Sequence, residues 1–438
     1  MYKVPVSVGK RFCKDFLQVI GVPQPILKEE DAMIALLVTL LIVWYTLVLG
    51  VSLWIVIQHW LIIDVPPAIG HPVNFRIVHC LSHLTFRWGY ILEKLKICSM
   101  ARFCQLLQNL LAIGKDSDVV VTNLRFGTIP VRLFQPKAMS PGPRRGIVYY
   151  HGGGTVVGSL DIYHNVCSFL VKKTDSVLLA VGYRKLPDCH YPTCVQDCLN
   201  ATIHFLKTLK IYGVDPSRVV VSGDSSGGYI VALVTQALVG RTDLPKLRAQ
   251  ILIYPVVQFI NLQLPSFQQN KNVQHFLTRA ISWYFQYFRI DPCWEDALLT
   301  GASIPANIWE KYKKWLSSDN LPERFRHKDY KPEFLAPFNE AAYLETRHLF
   351  EADYVPLLAD DQVIAQVPEA FLVTSEWDIF RDDGLLYKKR LEDQGVPVSW
   401  YHAEDSFHGC IILFDSKLFS FPCSEKVMTA IAKYLTDI

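Results

Sequence analysis

The sequence predicts an α/β fold: a mostly parallel central sheet with helices on both faces, preceded by one helix long enough to span a membrane. Three observations carry that expectation. From about residue 118 onward, short apolar runs of strand length alternate with helical spacing, the rhythm of parallel strands joined by crossover helices. Three sites, His151-Gly152-Gly153-Gly154, Gly223-Asp224-Ser225-Ser226-Gly227 and Ser406-Phe407-His408-Gly409, each end or follow one of those runs. Finally, Ala32 to Ile63 holds no Asp, Glu, Lys or Arg, and Ala32 to Ile57 is almost wholly apolar.

The apolar stretch sets the N-terminal organisation. At ~1.5 Å per residue, ~26 residues make a helix of about 39 Å, enough to cross a hydrocarbon core of about 30 Å with some tilt. A signal peptide is the competing reading, but its apolar region would run only ~7–15 residues and end at a small-residue cleavage site. This run is longer, begins after a polar tail and has no Ala-x-Ala-like exit. Residues 1–31 are therefore expected to be a cytosolic tail, 32–57 a transmembrane signal anchor, and 58–117 a helical juxtamembrane or cap segment. Lys3, Lys10, Arg11, Lys14 and Lys28 precede the anchor, whereas no Lys or Arg follows it until Arg76. Positive residues favour the cytosolic side, so the expectation is a single-pass type II arrangement with the residues after the anchor on the lumenal or outer face. Trp54 and Trp60 suit the interface at its C-terminal end.

Beyond the anchor, Ile91, Leu95 and Cys98, then Leu106, Leu107, Leu110 and Leu111, keep helical spacing up to about Lys115. Asp118–Phe126 and Val131–Phe134 alternate like strands, with Gly127 and Pro130 marking their turn. Gly146–Tyr150 and Ser176–Tyr183 read as buried strands, Val195–Leu209 as a helix, Arg218–Ser222 as a strand, Gly227–Val239 as a helix and Ala249–Tyr254 as a strand. The alternation breaks between about 257 and 366, a stretch with Trp283, Trp294, Trp309 and Trp315 that is expected to be an inserted helical cap. The sheet pattern resumes at Glu369–Thr374, with a helix over about Asp383–Asp393, a strand at Val398–Tyr401 and a last helix at Ser424–Thr436. Residues 118–438 thus form the main domain.

Composition narrows the function. A net charge of +3, from 44 basic and 41 acidic residues, and the lack of a basic stretch interleaved with aromatics argue against nucleic acid. Half of the 438 residues are hydrophobic, and only 19% are charged. Eleven cysteines are many for an intracellular enzyme, and a lumenal site would permit disulfides. Cys189, Cys194 and Cys198 match no zinc spacing, so no metal is expected. Asn200-Ala201-Thr202 fits the glycan acceptor pattern and makes Asn200 a candidate site.

The three motifs, in this order, have the chemistry of a serine hydrolase of the α/β-hydrolase type. A serine hydroxyl needs a neighbouring base, itself oriented by a third group. Gly223 and Gly227 bracket Ser225 on a sharp strand-to-helix turn, and a frame shifted by one would need glycine where Asp224 stands, so Ser225 is the expected nucleophile. His151, Gly152 and Gly153 form the expected oxyanion loop, with amides of Gly152 and Gly153 joined by that of Ser226. His408 is the expected base; His402, within or at the edge of a strand, is its nearest rival. Asp378, just past a strand end, is the expected acid, with Glu376 as the runner-up and Asp382 and Asp383 assigned to capping the next helix. The His79/His83 pair has no Glu between its members and reads as packing or surface. No Gly-x-x-x-x-Gly-Lys or Gly-x-Gly-x-x-Gly follows the glycines, so no nucleotide cofactor is expected.

With these residues in place the chain resembles the hormone-sensitive-lipase group of α/β hydrolases, and more closely the arylacetamide deacetylase-like proteins. The matching stretches are Tyr150-His151-Gly152-Gly153-Gly154, Tyr183-Arg184-Lys185-Leu186-Pro187, Tyr191-Pro192, Gly223-Asp224-Ser225-Ser226-Gly227-Gly228, Asp378-Ile379-Phe380-Arg381-Asp382 and Phe407-His408-Gly409. The resemblance implies cofactor-free cleavage of uncharged esters or aryl amides, with Ser225 as nucleophile, Asp378 as acid, His408 as base, and His151, Gly152 and Gly153 in the oxyanion loop. It also implies a single-pass protein of the endoplasmic reticulum with a lumenal catalytic domain. Three features depart from the family's pattern: Ser226 stands where alanine is usual, Thr155 where a bulky aromatic is usual, and the tail before Met33 is longer, making Met33 an alternative start.

The expected partners are a small lipophilic ester or amide and membrane lipid; nothing in the chain speaks to its oligomeric state. The alternative from another class is a catalytically silent protein that keeps the fold to hold a lipid or partner. A soluble cytosolic enzyme is the third reading.

Overall fold

A run with no Asp, Glu, Lys or Arg from Ala32 on becomes the body of α1, Glu29–Ile62, in the computed structural model of the chain, which describes residues 29–110, 119–326, 336–416 and 419–438. Its segment Met33–Ile62, 30 residues long, is apolar and long enough to cross a membrane, and extends past Ile57 where the sequence placed the end. α1 and the rest of the chain, from Ile62 on, are separate compact units. The polar tail before Glu29, with Cys13, and the junction 111–118 lie outside the described residues.

In the second unit, α2 (Pro72–Lys94) and α3 (Met100–Leu110) pack on one another ahead of the sheet. Eight strands follow: β1 Val119–Phe126, β2 Ile129–Pro136, β3 Arg144–Tyr150, β4 Val177–Val181, β5 Val214–Asp224, β6 Ala249–Ile253, β7 Glu369–Trp377 and β8 Val398–Phe407. They form one sheet in the order β1-β2-β4-β3-β5-β6-β7-β8. The β1–β2 and β2–β4 pairs are antiparallel, and every pairing from β4 through to β8 is parallel. β3, at the middle of this order, and its neighbour β5 begin the reversal of strand order, the place where ligands bind beyond the carboxyl ends of an open sheet.

The strands are apolar on both faces because helices cover both. In β3, Ile147 and Tyr149 face one core while Val148 and Tyr150 face the other; in β6, Ile251 and Ile253 oppose Leu252 in the same way. The helices concerned include α4 (His164–Thr174), α5 (Thr193–Thr208) and α6 (Ser226–Ala237). The sequence pattern does not announce α4, because its apolar residues Val166, Cys167, Leu170 and Val171 are few and Lys172, Lys173 and Asp175 end it quickly. Between β6 and β7 the described residues hold no strand; α7 (His275–Tyr287) and α8 (Ala306–Leu316) are its longer helices. The chain closes with α9 (Arg381–Glu392) and α10 (Pro422–Asp437).

Candidate active site

β5 delivers Asp224, α6 starts at Ser226, and Ser225 is the single residue left to turn the chain. It adopts φ 54° and ψ −119°, a region that costs a residue with a Cβ roughly 1–3 kcal/mol, and its amide is tied to the Ile253 carbonyl at 2.9 Å. The turn is tight enough to forbid side chains beside it. A Cβ on Gly227 would lie 2.0 Å from the Tyr150 carbonyl oxygen, and one on Gly223 would lie 2.5 Å from the Gly227 backbone.

The elbow presents the hydroxyl to the loop after β8. Ser225 Oγ lies 2.7 Å from His408 Nε2, and His408 Nδ1 lies 2.8 Å from Asp378 Oδ2. All three side chains are buried. With Nδ1–H donating to the carboxylate, Nε2 is left to accept the serine proton. Asp378 is itself oriented by the Phe380 amide, which donates to Oδ1 at 2.8 Å. The two rivals pair with each other instead: His402, within β8, contacts Glu376 through Nε2 at 2.8 Å, and Glu376 also accepts from Arg381 at 2.9 Å. That pair holds the Glu376 carboxyl below its usual range, the His402 and Arg381 contacts outweighing the opposing, and largest, effect of burial.

One short stretch ahead of α7 grips both loops that carry this chain. Asn270 donates through Nδ2 to the carbonyls of Glu376 (3.1 Å) and Asp378 (3.0 Å). Gln274 holds the main chain of His408 from both sides, accepting from its amide and donating to its carbonyl, each at 2.9 Å. His79 of α2 contacts the Gln274 amide group through Nε2 at 2.9 Å, while its Nδ1 donates to the Phe75 carbonyl. His79 and His83 are thus buried rather than at the surface. Neither Asn270 nor Gln274 stands in a recognisable pattern; their spacing of four in a polar stretch was the only signal available.

The glycine loop requires a correction. Gly152 N–H donates to Asp224 Oδ1 at 2.9 Å, so this amide is committed to a buried carboxylate and is not presented to substrate. Gly153 N–H donates to no group among the described residues, and Gly154 N–H donates to Ser226 Oγ at 3.0 Å. The Ser226 amide, in the first turn of α6, lacks an intrahelical acceptor. Where amides of Gly152, Gly153 and Ser226 were expected to face the substrate, that of Gly152 is held by Asp224 and that of Gly154 by Ser226 Oγ, while Gly153 has no acceptor among the described residues and Ser226 has no intrahelical one. His151 stacks on Tyr183, with ring centroids 4.3 Å apart, and its Nδ1–H donates to the Gly152 carbonyl at 2.8 Å. Burial pushes its imidazole down to about 3, so it is neutral and shapes the loop without carrying charge.

Asp224, unassigned by sequence, is wholly buried and anchors this corner. Tyr163 and Tyr149 donate to it at 2.8 and 3.0 Å beside the Gly152 amide, yet burial outweighs these donors and pushes its carboxyl up to about 6. The bulk missing at Thr155 comes from α7: Trp283 packs on Gly154, where a Cβ would lie 3.3 Å from the ring. The Tyr284 hydroxyl interacts with Ser225 and Ser226. α3 supports the loop from outside, with Gln105 donating to the Val156 and Leu186 carbonyls and Gln108 accepting from the Gly158 amide.

Two further expectations fall elsewhere. Asp382 and Asp383 do not cap α9: Asp382 accepts from Arg381 at 2.9 Å and from the Ser266 amide at 2.7 Å, and Asp383 accepts from Gln258 at 2.8 Å, all in the interior. Asn200 is exposed on α5, while Thr202 of its acceptor pattern is buried and donates to the Cys198 carbonyl at 2.8 Å. The ten described cysteines are free thiols.

A family described as alpha/beta hydrolase fold matches residues 147–300 and 322–412. Arylacetamide deacetylase-like 4 family member 1 of Mus musculus is 59% identical over 394 residues, covering 90% of this chain and 97% of its own. Arylacetamide deacetylase of the same species is 33% identical over 383 residues, covering 84% and 92%. Among solved structures, a thermostable esterase from Pseudomonas putida shares the fold with a TM-score of 0.58 at 21% identity, covering 81% of this chain and 96% of its own. The chain belongs to the α/β hydrolases and, within them, to the arylacetamide deacetylase-like family.

Proposed function

We propose that the protein is a membrane-anchored serine hydrolase that cleaves lipophilic carboxylic esters or aryl acetamides through an acyl-enzyme. The observation that carries the reading is the unbroken line Ser225 Oγ–His408 Nε2, His408 Nδ1–Asp378 Oδ2, at 2.7 and 2.8 Å. Ser225 Oγ attacks the substrate carbonyl carbon while its proton passes to His408 Nε2. Asp378 keeps the imidazole in the required tautomer and stabilises the imidazolium without taking the proton. The developing oxyanion is met by the amides of Gly153, Gly154 and Ser226, each such donor being worth ~10²–10³ in turnover. The tetrahedral species collapses by breaking the bond to the alcohol or amine, which leaves with the proton from His408. Water, deprotonated by the same imidazole, then attacks the acyl carbon, and the bond to Ser225 Oγ breaks as His408 returns the proton to it, releasing the acid.

The name of the mouse relative supports aryl acetamides as one substrate class. The apolar α1, the basic tail before it and the aromatic cluster of Trp283, Tyr284 and Phe288 support a tethered enzyme taking substrates from lipid. The proposed orientation is type II, with residues 62–438 in the lumen of the endoplasmic reticulum; protease protection in sealed vesicles tests it. The chemistry is tested by hydrolysis of short acyl esters and aryl acetamides by the full chain. Ser225→Ala should lower turnover by at least ~10³-fold, and parental turnover by that variant would refute the proposal.

A further inference from the structure

α2 buries one face in the fold and carries a second, apolar face that is exposed at Val73, Ile77 and Leu81 and half-buried at Leu84, Trp88 and Ile91. Phe75, His79, His83 and Gly89 are buried against the domain. At about 100° per residue, Val73, Ile77, Leu81, Leu84, Trp88 and Ile91 fall within an arc of about 80° on a different side. Val73, Ile77 and Leu81 are 66%, 41% and 51% exposed, and the stripe runs on into the turn at Leu95 and Ile97, 63% and 68% exposed. α3, packed against α2, adds Leu106 and Leu110, 62% and 75% exposed. Single exposed apolar side chains are ordinary on a soluble surface, but an aligned series is not.

Charge and connectivity say what covers this face. Between Val65 and Lys115 the only acid is Glu93, against Arg76, Arg87, Lys94, Lys96, Arg102 and Lys115, of which Arg102 is paired with Asp188. By helical spacing Arg76, Arg87 and Lys94 lie along one flank of the stripe. α1 ends at Ile62 and α2 begins at Pro72. At ~3.5 Å per residue the link can separate the two by no more than about 35 Å, so an anchored α1 keeps α2 near the bilayer in any arrangement.

We infer that α2, with the turn after it and the outer side of α3, lies in the plane of the membrane surface with the Val73–Ile91 stripe among the lipid acyl chains. The inference deepens the proposed function and rests on its membrane anchoring. An apolar stripe flanked by cationic residues is the composition of an interfacial helix, which sinks ~5–10 Å into the headgroup boundary. The opposite side of the same helix reaches the reacting groups: His79 supports Gln274 and through it His408, and Phe86 packs on Trp283 with ring centroids 4.6 Å apart. A bilayer-dissolved ester would therefore meet the site from a seated surface and not from open solution.

The test places an environment-sensitive fluorescent side chain singly at positions 77, 81 or 106 of the full chain, reconstituted in phosphatidylcholine/phosphatidylserine vesicles containing doxyl-labelled lipid. Position 41 in α1 reports on anchoring, and positions 139 and 211, where Met139 and Ile211 are 98% and 76% exposed, report on open solvent. The expected result is quenching at 77, 81 and 106 of at least half that at 41, with 139 and 211 unquenched. Quenching at 77, 81 and 106 no greater than at 139 and 211 overturns the inference; if 41 is quenched in the same vesicles, the anchoring stands without it. Loss at 41 with quenching retained at 77 and 81 removes the anchor and leaves the interfacial helix. As a second arm, Ile77→Glu with Leu81→Glu should cut quenching at 106 by at least half, and unchanged quenching there also counts against the stripe.

Discussion

Ser226 shows how one hydroxyl changes a site. Its Oγ accepts a hydrogen bond from the Gly154 amide at 3.0 Å, so that donor must exchange partners before it serves an oxyanion. Breaking such a hydrogen bond costs about 1 kcal/mol. Ser226→Ala should therefore raise kcat/KM for short acyl esters roughly fivefold, and steady-state kinetics that showed a fall would contradict the role given to Gly154. The acid can be resolved in the same way. Asp378→Asn leaves the His408 ring in the wrong tautomer and is expected to lower kcat by about 10⁴-fold. Glu376→Gln, which touches only the His402–Arg381 pair, should leave kcat within roughly threefold; reversed effects would make Glu376 the acid. Much at this scale was readable in advance. Ser225, His408 and Asp378 fall where strand ends and flanking glycines put them, and the structure brings them into contact. The Gly152 error has a physical origin, since a glycine's freedom says nothing about which amide a buried carboxylate will claim, and Asp224 is recognisable as buried only once Tyr149 and Tyr163 are folded around it.

Between elements, the site depends on a segment that makes no part of the sheet. Gln274 replaces the hydrogen bonds that the His408 main chain lacks, and Asn270 does the same for the Asp378 turn. A displacement of about 1 Å can cost ~10² in rate. Gln274→Leu is accordingly expected to lower kcat by about 10²-fold while KM stays within about threefold; a KM effect alone would mean that Gln274 shapes only binding. The sheet itself was legible because its strands alternate or run apolar between glycines, and β1 to β8 occur close to where those patterns lie. Strand ends were less so: β7 and β8 continue to Trp377 and Phe407 through polar residues that pair with one another, Ser375 with Ser406 at 3.0 Å. Pairing across strands outweighed local polarity there. The contacts of Asn270, Gln274, Gln105 and Gln108 join elements far apart in the chain, and no local pattern announces them.

Across the whole molecule, several buried groups are shifted, and His151 and Asp224 are shifted in opposite directions. His151 is held near 3 in the fold against about 6.5 unfolded, so the unfolded chain binds its proton first and stability falls as pH drops below about 6.5. Asp224 is held near 6 against about 3.8, so the folded chain binds its proton first and stability rises as pH drops from about 6 to 3.8. Each slope is about 1.4 kcal/mol per pH unit, and they cancel over the window they share. Asp224→Asn removes one of them. Relative to its own value at pH 7, the melting temperature of that variant in detergent should fall more steeply toward pH 4.5 than that of the parent; equal slopes would contradict the opposition. The proposed chemistry depends on the nucleophile. A fluorophosphonate reacts with an activated serine, and peptide mapping by mass spectrometry identifies the residue that carries the adduct. With the full chain in membranes, the phosphonyl group should be found on Ser225, with labelling lost in His408→Ala. An adduct on another residue, or an undiminished one in Ser225→Ala, would contradict the account.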